Sequence, residues 1–339
     1  MNKPKVYIIV LNWNGTNDTI ECLNSLKEIN YSEYQIILVD NGSSTYNFND
    51  LKNWCQKHFS LVKEYSQDEA ANGGKVETEN KLLKYNSAEK LLIIKNNDNL
   101  GFAAGNNVAL NYVLKKKDDS FCLLLNNDTV VNPDFLKYLV TFMNNNPKYV
   151  ACTPQIRLYE NKNIIWNCGG KLSEFGTRKY YYAGMNIKEI PHVEFLTITF
   201  ITGCALFFRP ILTGVLTEKF FFGEEDFEFS LRAKKRNQKM ACILNSIIYH
   251  KVGNSIDSIS IFEKKIVLNY TMRLINLKDY YTTMKWFIIY ILYYLYSFYL
   301  IIIKNKESSK KFRFIWKRIN YYKKYNIINK QLFKEIIYD

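Results

Sequence analysis

Several short polar clusters in this chain hold side chains able to do chemistry. In ILVDNGSS, Asp40 ends an apolar, β-branched run, where its carboxylate can accept the N3 proton of a uracil or thymine ring; Asp-Asn-Gly-Ser is equally a turn and helix-start sequence. Asn126-Asn127-Asp128 follows the apolar run FCLLL and offers one hard oxygen ligand. Mg²⁺ or Mn²⁺ takes one or two carboxylates and completes its shell with phosphate oxygens and water, so Asp128 alone suffices; the bland alternative is a turn before a helix at Pro133. Glu224-Glu225-Asp226 follows the aromatic run Phe220–Phe222 and opens a helical pattern. Acids there compensate a helix dipole, but an aromatic wall would raise a carboxylate toward the pKa of a general base, with Glu225 and Asp226 both eligible. His250 ends the apolar segment SIIYH, where it is either a structural group or a ligand to metal or diphosphate.

Such side chains need elements to aim them. Strands are predicted at Val6–Leu11, Gln35–Asp40, Lys90–Ile94 and Phe121–Leu125, and helices near Asp18–Ile29, Asn49–Phe59, Ala103–Leu114 and Pro133–Asn145. This alternation is the βαβ signature of a mostly parallel, Rossmann-like sheet flanked by helices, whose ligands sit at the carboxyl ends of the strands. Those ends here are LNWNG, DNGSS, NNDNLG and NNDT. The polar stretch 64–89 lacks periodicity and reads as a solvated insertion, with a mobile lid as the sharper alternative. Beyond residue 150 the pattern shifts to irregular strands and Gly-rich turns, then the apolar ITGCALFFR and a helix over Glu225–Lys235.

The chain of 339 residues carries a formal net charge of +14. Eleven Lys/Arg against three acids concentrate net +8 between Lys304 and Asp339, which leaves the rest too dilute for a nucleic-acid surface. A helix is expected over Ser258–Tyr281, and Trp286–Ile303 is an uncharged run of eighteen residues. At about 27 Å as a helix it sits at the lower limit for spanning a bilayer. Tyr290, Tyr293, Tyr294 and Ser297 give it one weakly polar face, so lying in the interface or docking on protein are alternatives to spanning. The apolar-then-basic order predicts attachment to the inner face of a cell membrane. The first apolar run is too short for a secretory signal, which places the body in the cytosol, and seven scattered cysteines read as reduced and buried.

In order, VLNWNG, ECLNSL, ILVDNGSS, NLGFAAGNN, LLLNNDT, TGCALFFR, FFGEEDFEFSLRAKKRNQK and YHKVGNS resemble glycosyltransferase family 2, the GT-A fold, and most of all its rhamnosyltransferase-like members that build bacterial surface polysaccharides. The resemblance covers about residues 5–256 and implies a catalytic domain over residues 1–257; the apolar-then-basic remainder, 258–339, is expected to be a C-terminal helical membrane-associated region. It implies a dTDP- or UDP-sugar donor, with the sugar possibly rhamnose, a divalent metal, and a lipid-linked or glycan acceptor. Asp40 would bind the nucleobase beside Leu11, Asn12 and Asn14, while Asn99, Gly101, Phe102 and Asn106 flank nucleotide and donor sugar. Asp128 matches the last acid of the family's DxD motif, next to Asn126 and Asn127, and His250 a histidine that in some members reaches the metal. Asp226 matches the base of the ED motif, with Glu225 its neighbour; the implied reaction is a direct inverting displacement. Asn126 in the first DxD position is a departure, and it supports the alternative of a non-catalytic membrane-associated scaffold. A sugar nucleotidyltransferase would need a basic phosphate loop after the first strand, and LNWNGTND has no basic residue. Oligomeric state is not legible.

Overall fold

The computed structural model describes residues 3–251 and 262–338. β1 (Val6–Asn12), α1 (Thr16–Lys27), β2 (Tyr34–Asn41), α2 (Thr45–His58) and β3 (Leu61–Ser66) open the chain. Two short helices, α3 (Gln67–Ala71) and α4 (Val76–Leu82), precede β4 (Lys90–Asn96), and α5 (Phe102–Leu114) crosses back to β5 (Phe121–Asn126). These strands are all parallel, in the order β5-β1-β2-β4-β3. Alternation of side chains along β1 explains the two-sided burial: Val6, Ile8 and Val10 enter the core under α1 and α2, and Tyr7 and Ile9 the core under α5.

β3 escaped sequence reading because it is an edge strand of mixed polarity, LVKEYS, that pairs only with β4. The stretch 64–89 is also corrected: it holds part of β3, a Ser66/Glu69 capping box and both short helices. Glu79 accepts hydrogen bonds from Tyr65 (2.8 Å) and Tyr112 (2.9 Å) and pairs with Lys116 at 2.8 Å. Lys116 in turn donates to Gly73 O, and Lys90 to Leu82 O. The insertion is therefore fastened to the second half of α5 and the residues just after it.

The second half contributes β6 (Thr129–Val131), α6 (Phe135–Asn145, two residues past Pro133), β7 (Tyr149–Leu158), β8 (Ile165–Asn167), β9 (Gly170–Leu172), β10 (Arg178–Tyr180) and β11 (Phe195–Ile198). After these come β12 (Ala205–Phe208), α7 (Pro210–Thr213), α8 (Glu225–Lys235) and β13 (Lys239–His250). β12 enters antiparallel between β5 and β7, β13 runs parallel to β7, and β11 closes the edge. The result is a mixed α/β fold with an eleven-stranded central sheet flanked by helices. Because β12 opposes β5, its start meets the carboxyl end of β5, and Asn126 N donates to Cys204 O at 2.9 Å.

The chain ends in α9 (Phe262–Tyr280), α10 (Thr283–Phe298, continued by a wider turn through Lys304), α11 (Ser309–Tyr322) and α12 (Lys330–Tyr338). The start of the helix expected from Ser258, and the Val252–Ser255 part of the YHKVGNS motif, lie outside the described residues. These helices share one apolar core with Phe220, Phe227 and Leu231 of the preceding half. Along α10, Ile289, Tyr293, Ser297 and Ile301 recur every four residues and face that core. Trp316 Nε1 donates to Ser297 Oγ and Tyr290 OH to Asn320, so the weakly polar side of the apolar run is the side that docks on protein.

Candidate active site

The nucleotide end of the crevice is a hydrogen-bonded mesh at the carboxyl ends of β1 and β2. Asp40 is buried; its two oxygens accept from Asn12 Nδ2 (3.1 Å) and Ser43 N (3.2 Å), so the turn-forming role of Asp-Asn-Gly-Ser is realised. Asn12 Oδ1 accepts from Gly15 N and Thr19 Oγ1, each at 3.0 Å, and Asn127 Nδ2 donates to Thr19 Oγ1 at 2.9 Å. A continuous chain of side chains thus links Asp40 to the residue beside Asp128. Asn14 is left-handed, and its Oδ1 accepts from Ser44 N and Asn47 Nδ2, while Leu11 packs toward Gly105.

The Asn99–Asn106 segment lies beside this mesh. Asn41, unremarked in the sequence, organises it: its Nδ2 donates to Asn99 Oδ1 and Gly101 O, and its Oδ1 accepts from Asn96 Nδ2 and Leu100 N. Gly101 has φ +88°, and a Cβ there would lie 2.0 Å from Phe221 O. Only glycine allows that approach, which positions Phe102 N to donate to the same oxygen. Asn106 is buried and donates to Phe102 O within its own helix, so its side chain serves α5.

Asp128 and His250 meet where β6 pairs with the end of β13. His250 Nε2 comes within 3.1 Å of Asp128 Oδ1, yet neither atom makes a well-aligned hydrogen bond, and His250 Nδ1 is equally unpartnered and buried. Burial works against the imidazolium, but the Cys204 sulfur and the Asp128 carboxylate outweigh it and hold His250 up at about 10. The buried Asp128 Oδ1, and the His250 nitrogen beside it once the imidazolium gives up its proton, fit a divalent cation. Among the described residues no three His, Cys, Asp or Glu gather to hold a metal unaided, so Asp128 and His250 fit only a cation that draws its other ligands from elsewhere.

Asp226 lies in the first turn of α8. Gly203 N donates to its Oδ2 at 3.3 Å and Arg178 Nη1 lies 3.7 Å from its Oδ1. Glu225 is buried with Oε2 unpartnered and Oε1 toward Gly203. Burial and the Asp226 charge push Glu225 well above the carboxylate range; burial also raises Asp226, with Arg178 opposing. Glu224 is neither base nor ligand: left-handed at φ 66°, it is clamped by Arg273 of α9 through Nε (2.5 Å) and Nη2 (2.6 Å). Arg178 and Arg273 were missed in the sequence because nothing local marks them; both come from outside the motif they serve.

The aromatic run requires correction. Phe220 is buried and bridges to Ile328, and Phe221 and Phe222 pack on Phe333 of α12, so these rings hold the C-terminal helices and do not wall the carboxylates. The seven cysteines are all buried and unpaired, as expected.

The geometry brings Asp40, Asp128 and Asp226 to one rim of strand ends. Residues 71–215 match the family model described as Glycosyl transferase family 2. No curated protein matches. Solved structures share the GT-A fold: S. aureus TarS 1–349 aligns with TM-score 0.55 at 12% identity over 98% of this chain and 83% of that one. GalNAc-T7 with UDP, GalNAc and Mn²⁺ aligns with TM-score 0.52 at 14% identity over 74% of this chain and 44% of that one. The mannosyltransferase PcManGT from Pyrobaculum calidifontis with GDP-Man and Mn²⁺ aligns with TM-score 0.50 at 13% identity over 81% and 63%. The chain thus spans less than two thirds of the length of the last two. The family model matches less than half of the chain, and the solved structures share its fold.

Proposed function

We propose that this chain is an inverting glycosyltransferase that moves a sugar from a dTDP- or UDP-sugar, rhamnose being the first candidate, to a hydroxyl of a lipid-linked or glycan acceptor. The observation that carries the proposal is the shared rim of strand ends, with the Asp128–His250 pair and the Asp226 carboxylate joined through Gly203, Cys204 and Asn126. Structures of similar fold hold UDP or GDP-mannose with Mn²⁺. Here Asp128 and His250 would hold Mg²⁺ or Mn²⁺, which when bound supplies positive charge to the departing diphosphate. Asp40 and the Leu11–Asn14 mesh seat the base. Asp226 takes the acceptor proton, and no covalent intermediate is needed.

A thermal-shift screen against UDP-, dTDP- and GDP-sugars with Mn²⁺ tests the donor, since a ligand bound only by the folded state stabilises it by an amount that grows with the ratio of its concentration to Kd. Asp128→Ala is expected to abolish the Mn²⁺-dependent part of the shift. A full shift in that variant removes Asp128 from the cation site, and no shift with any nucleotide-sugar removes the proposal.

Membrane attachment is argued from α10. Thr283–Lys304, 22 residues, is long and apolar enough to cross a bilayer. Its packed face argues for lying along the surface instead. Phe287, Leu295 and Ile303 are more than half exposed, and α11 exposes Lys310, Arg313 and Lys317. Deleting α10–α12 would also remove Trp316 and Ile319 from the core, so surface substitutions are the better test. Phe287→Glu with Leu295→Glu should weaken co-sedimentation with phosphatidylserine vesicles by about tenfold or more. Unchanged binding would exclude this face.

A further inference from the structure

The loop Asn97–Gly101 stands at the carboxyl end of β4, where ligands of parallel sheets bind, and Asn41 ties it to the nucleotide mesh. The transfer scheme above gives no reason for the end of the chain to grip this loop as well. Lys330 of α12, 232 positions away in sequence, donates to both oxygens of Asp98 at 2.7 Å. Asp98 Oδ1 also accepts from Asn99 N at 2.8 Å, so the pair fixes the loop where it turns toward Gly101.

A deeper contact runs through Phe221. A Cβ on Gly101 would lie 3.0 Å from Phe221 Cδ2 as well as 2.0 Å from its carbonyl oxygen, so ring and backbone of Phe221 both press on the loop. The same residue meets the last helix: the Phe333 ring packs on Phe221 at 5.4 Å, tilted by 53°, and on Phe222 at 6.1 Å, edge-on. Phe221 N donates to Ile328 O and Ile328 N to Lys219 O, each at 2.8 Å. The backbone that carries Phe221 is thus paired with the segment that enters α12.

The other end of this linkage reaches the carboxylates. Phe102 N donates to Phe221 O at 3.1 Å, and a Cβ on Gly203 would lie 3.6 Å from both the Phe102 ring and Glu225 Oε1. From α12 through Phe221 and the loop to Gly203 there is one run of packed contacts, and close-packed groups pass a displacement on instead of absorbing it. The Lys330–Asp98 pair is exposed and adds little energy by itself, so Phe333 carries the effect.

We infer that Phe333 is a positioning residue for the donor site: acting through Phe221, it makes α12 hold the Asp98–Phe102 loop in the place that receives a nucleotide-sugar. This inference rests on the glycosyl-transfer proposal and adds to it the element that shapes the donor pocket.

Isothermal titration of the full chain with UDP-glucose, UDP-N-acetylglucosamine, dTDP-rhamnose and GDP-mannose in Mn²⁺ tests it, together with hydrogen exchange over residues 98–102. Phe333→Ala should weaken the best of these donors by about tenfold, the worth of one aromatic pair, and speed exchange of the Phe102 amide. Ile289→Ala opens a cavity in the same helical core from the α10 side. It should lower the melting temperature and leave donor affinity within about twofold of wild type, a split that a merely structural role for Phe333 does not produce. If Phe333→Ala does not fold, Phe333→Leu, which keeps most of the apolar volume and loses the ring, carries the comparison with an effect of about threefold. Unchanged affinity in the Phe333 variant, or an equal loss in Ile289→Ala, overturns the assignment. The two claims fail differently: wild-type protein that binds none of the four donors sinks the transferase and this role with it, whereas normal binding that Phe333→Ala leaves intact sinks the positioning role alone.

Discussion

Asp226→Asn is expected to lower turnover by about 10²–10⁴-fold while nucleotide-sugar binding is retained, because the substitution keeps the shape and removes only the proton acceptor. Two adjacent carboxyls compete for the role, and their surroundings divide it. Glu225 is closed in, with an unpartnered oxygen and no cation in contact, so burial and its neighbour's charge keep the proton on it. Asp226 has the Gly203 amide and the Arg178 guanidinium beside it, and these oppose the upward push of burial that Glu225 meets without a cation in contact. Initial-rate kinetics on Asp226→Asn and Glu225→Gln decide the matter. A dead Glu225→Gln with an active Asp226→Asn would exchange the roles, and two active variants would leave the enzyme without this base.

The same pair sets a pH signature. The folded state holds a proton on Glu225 that the unfolded chain releases near its ordinary value of 4.5. Folded protein then binds more protons than unfolded protein, so stability is fully present below about 4.5 and declines as pH rises through the raised value. Glu225→Gln should flatten that decline in urea titrations across pH. For Asp226 the catalytic consequence is an acid limb: transfer rises with pH as this carboxyl ionises.

Arg273→Ala should destabilise the fold by about 3–5 kcal/mol at neutral pH, since it strands the Glu224 carboxylate in a buried site. Glu224 has only 3% of its side chain exposed and Arg273 12%, so solvent cannot take the arginine's place. Arg273 also donates to Gly176 O at 3.0 Å and covers the Phe227 ring at 3.6 Å, while Asn276 Nδ2 donates to Glu224 O. α9 thereby fixes the left-handed residue from which α8, and with it Asp226, begins. Urea unfolding measures the loss, and Arg273→Met with Glu224→Gln should recover most of it by removing both charges together. A single-variant loss below about 1 kcal/mol would mean that water reaches the carboxylate.

How much of this was legible follows the range of each interaction. β1, β2, β4 and β5 were plain because each is a run of apolar, mostly β-branched or leucine residues buried on both faces, and the sheet rule alone then directs DNGSS, NNDNLG and NNDT toward one side. Edge strand β3 was hidden, since pairing with one neighbour leaves all but one of its residues partly or fully exposed. The Phe220–Phe222 run was visible but its use was not: aromatic rings pack equally well on a ligand or on α12, and only the position of Phe333 decides. Glu224, Glu225 and Asp226 looked like three equivalent acids.

The residues themselves determined the parallel half of the sheet, the polar strand ends and the candidate acids, because periodicity and turn chemistry act over a few neighbouring positions. Tertiary structure alone decided which of those acids is clamped, which is closed in without a cation, and which has a guanidinium beside it. Those outcomes depend on Arg178, Arg273 and Gly203, brought in from distant parts of the chain, and on burial, which no short stretch of sequence contains.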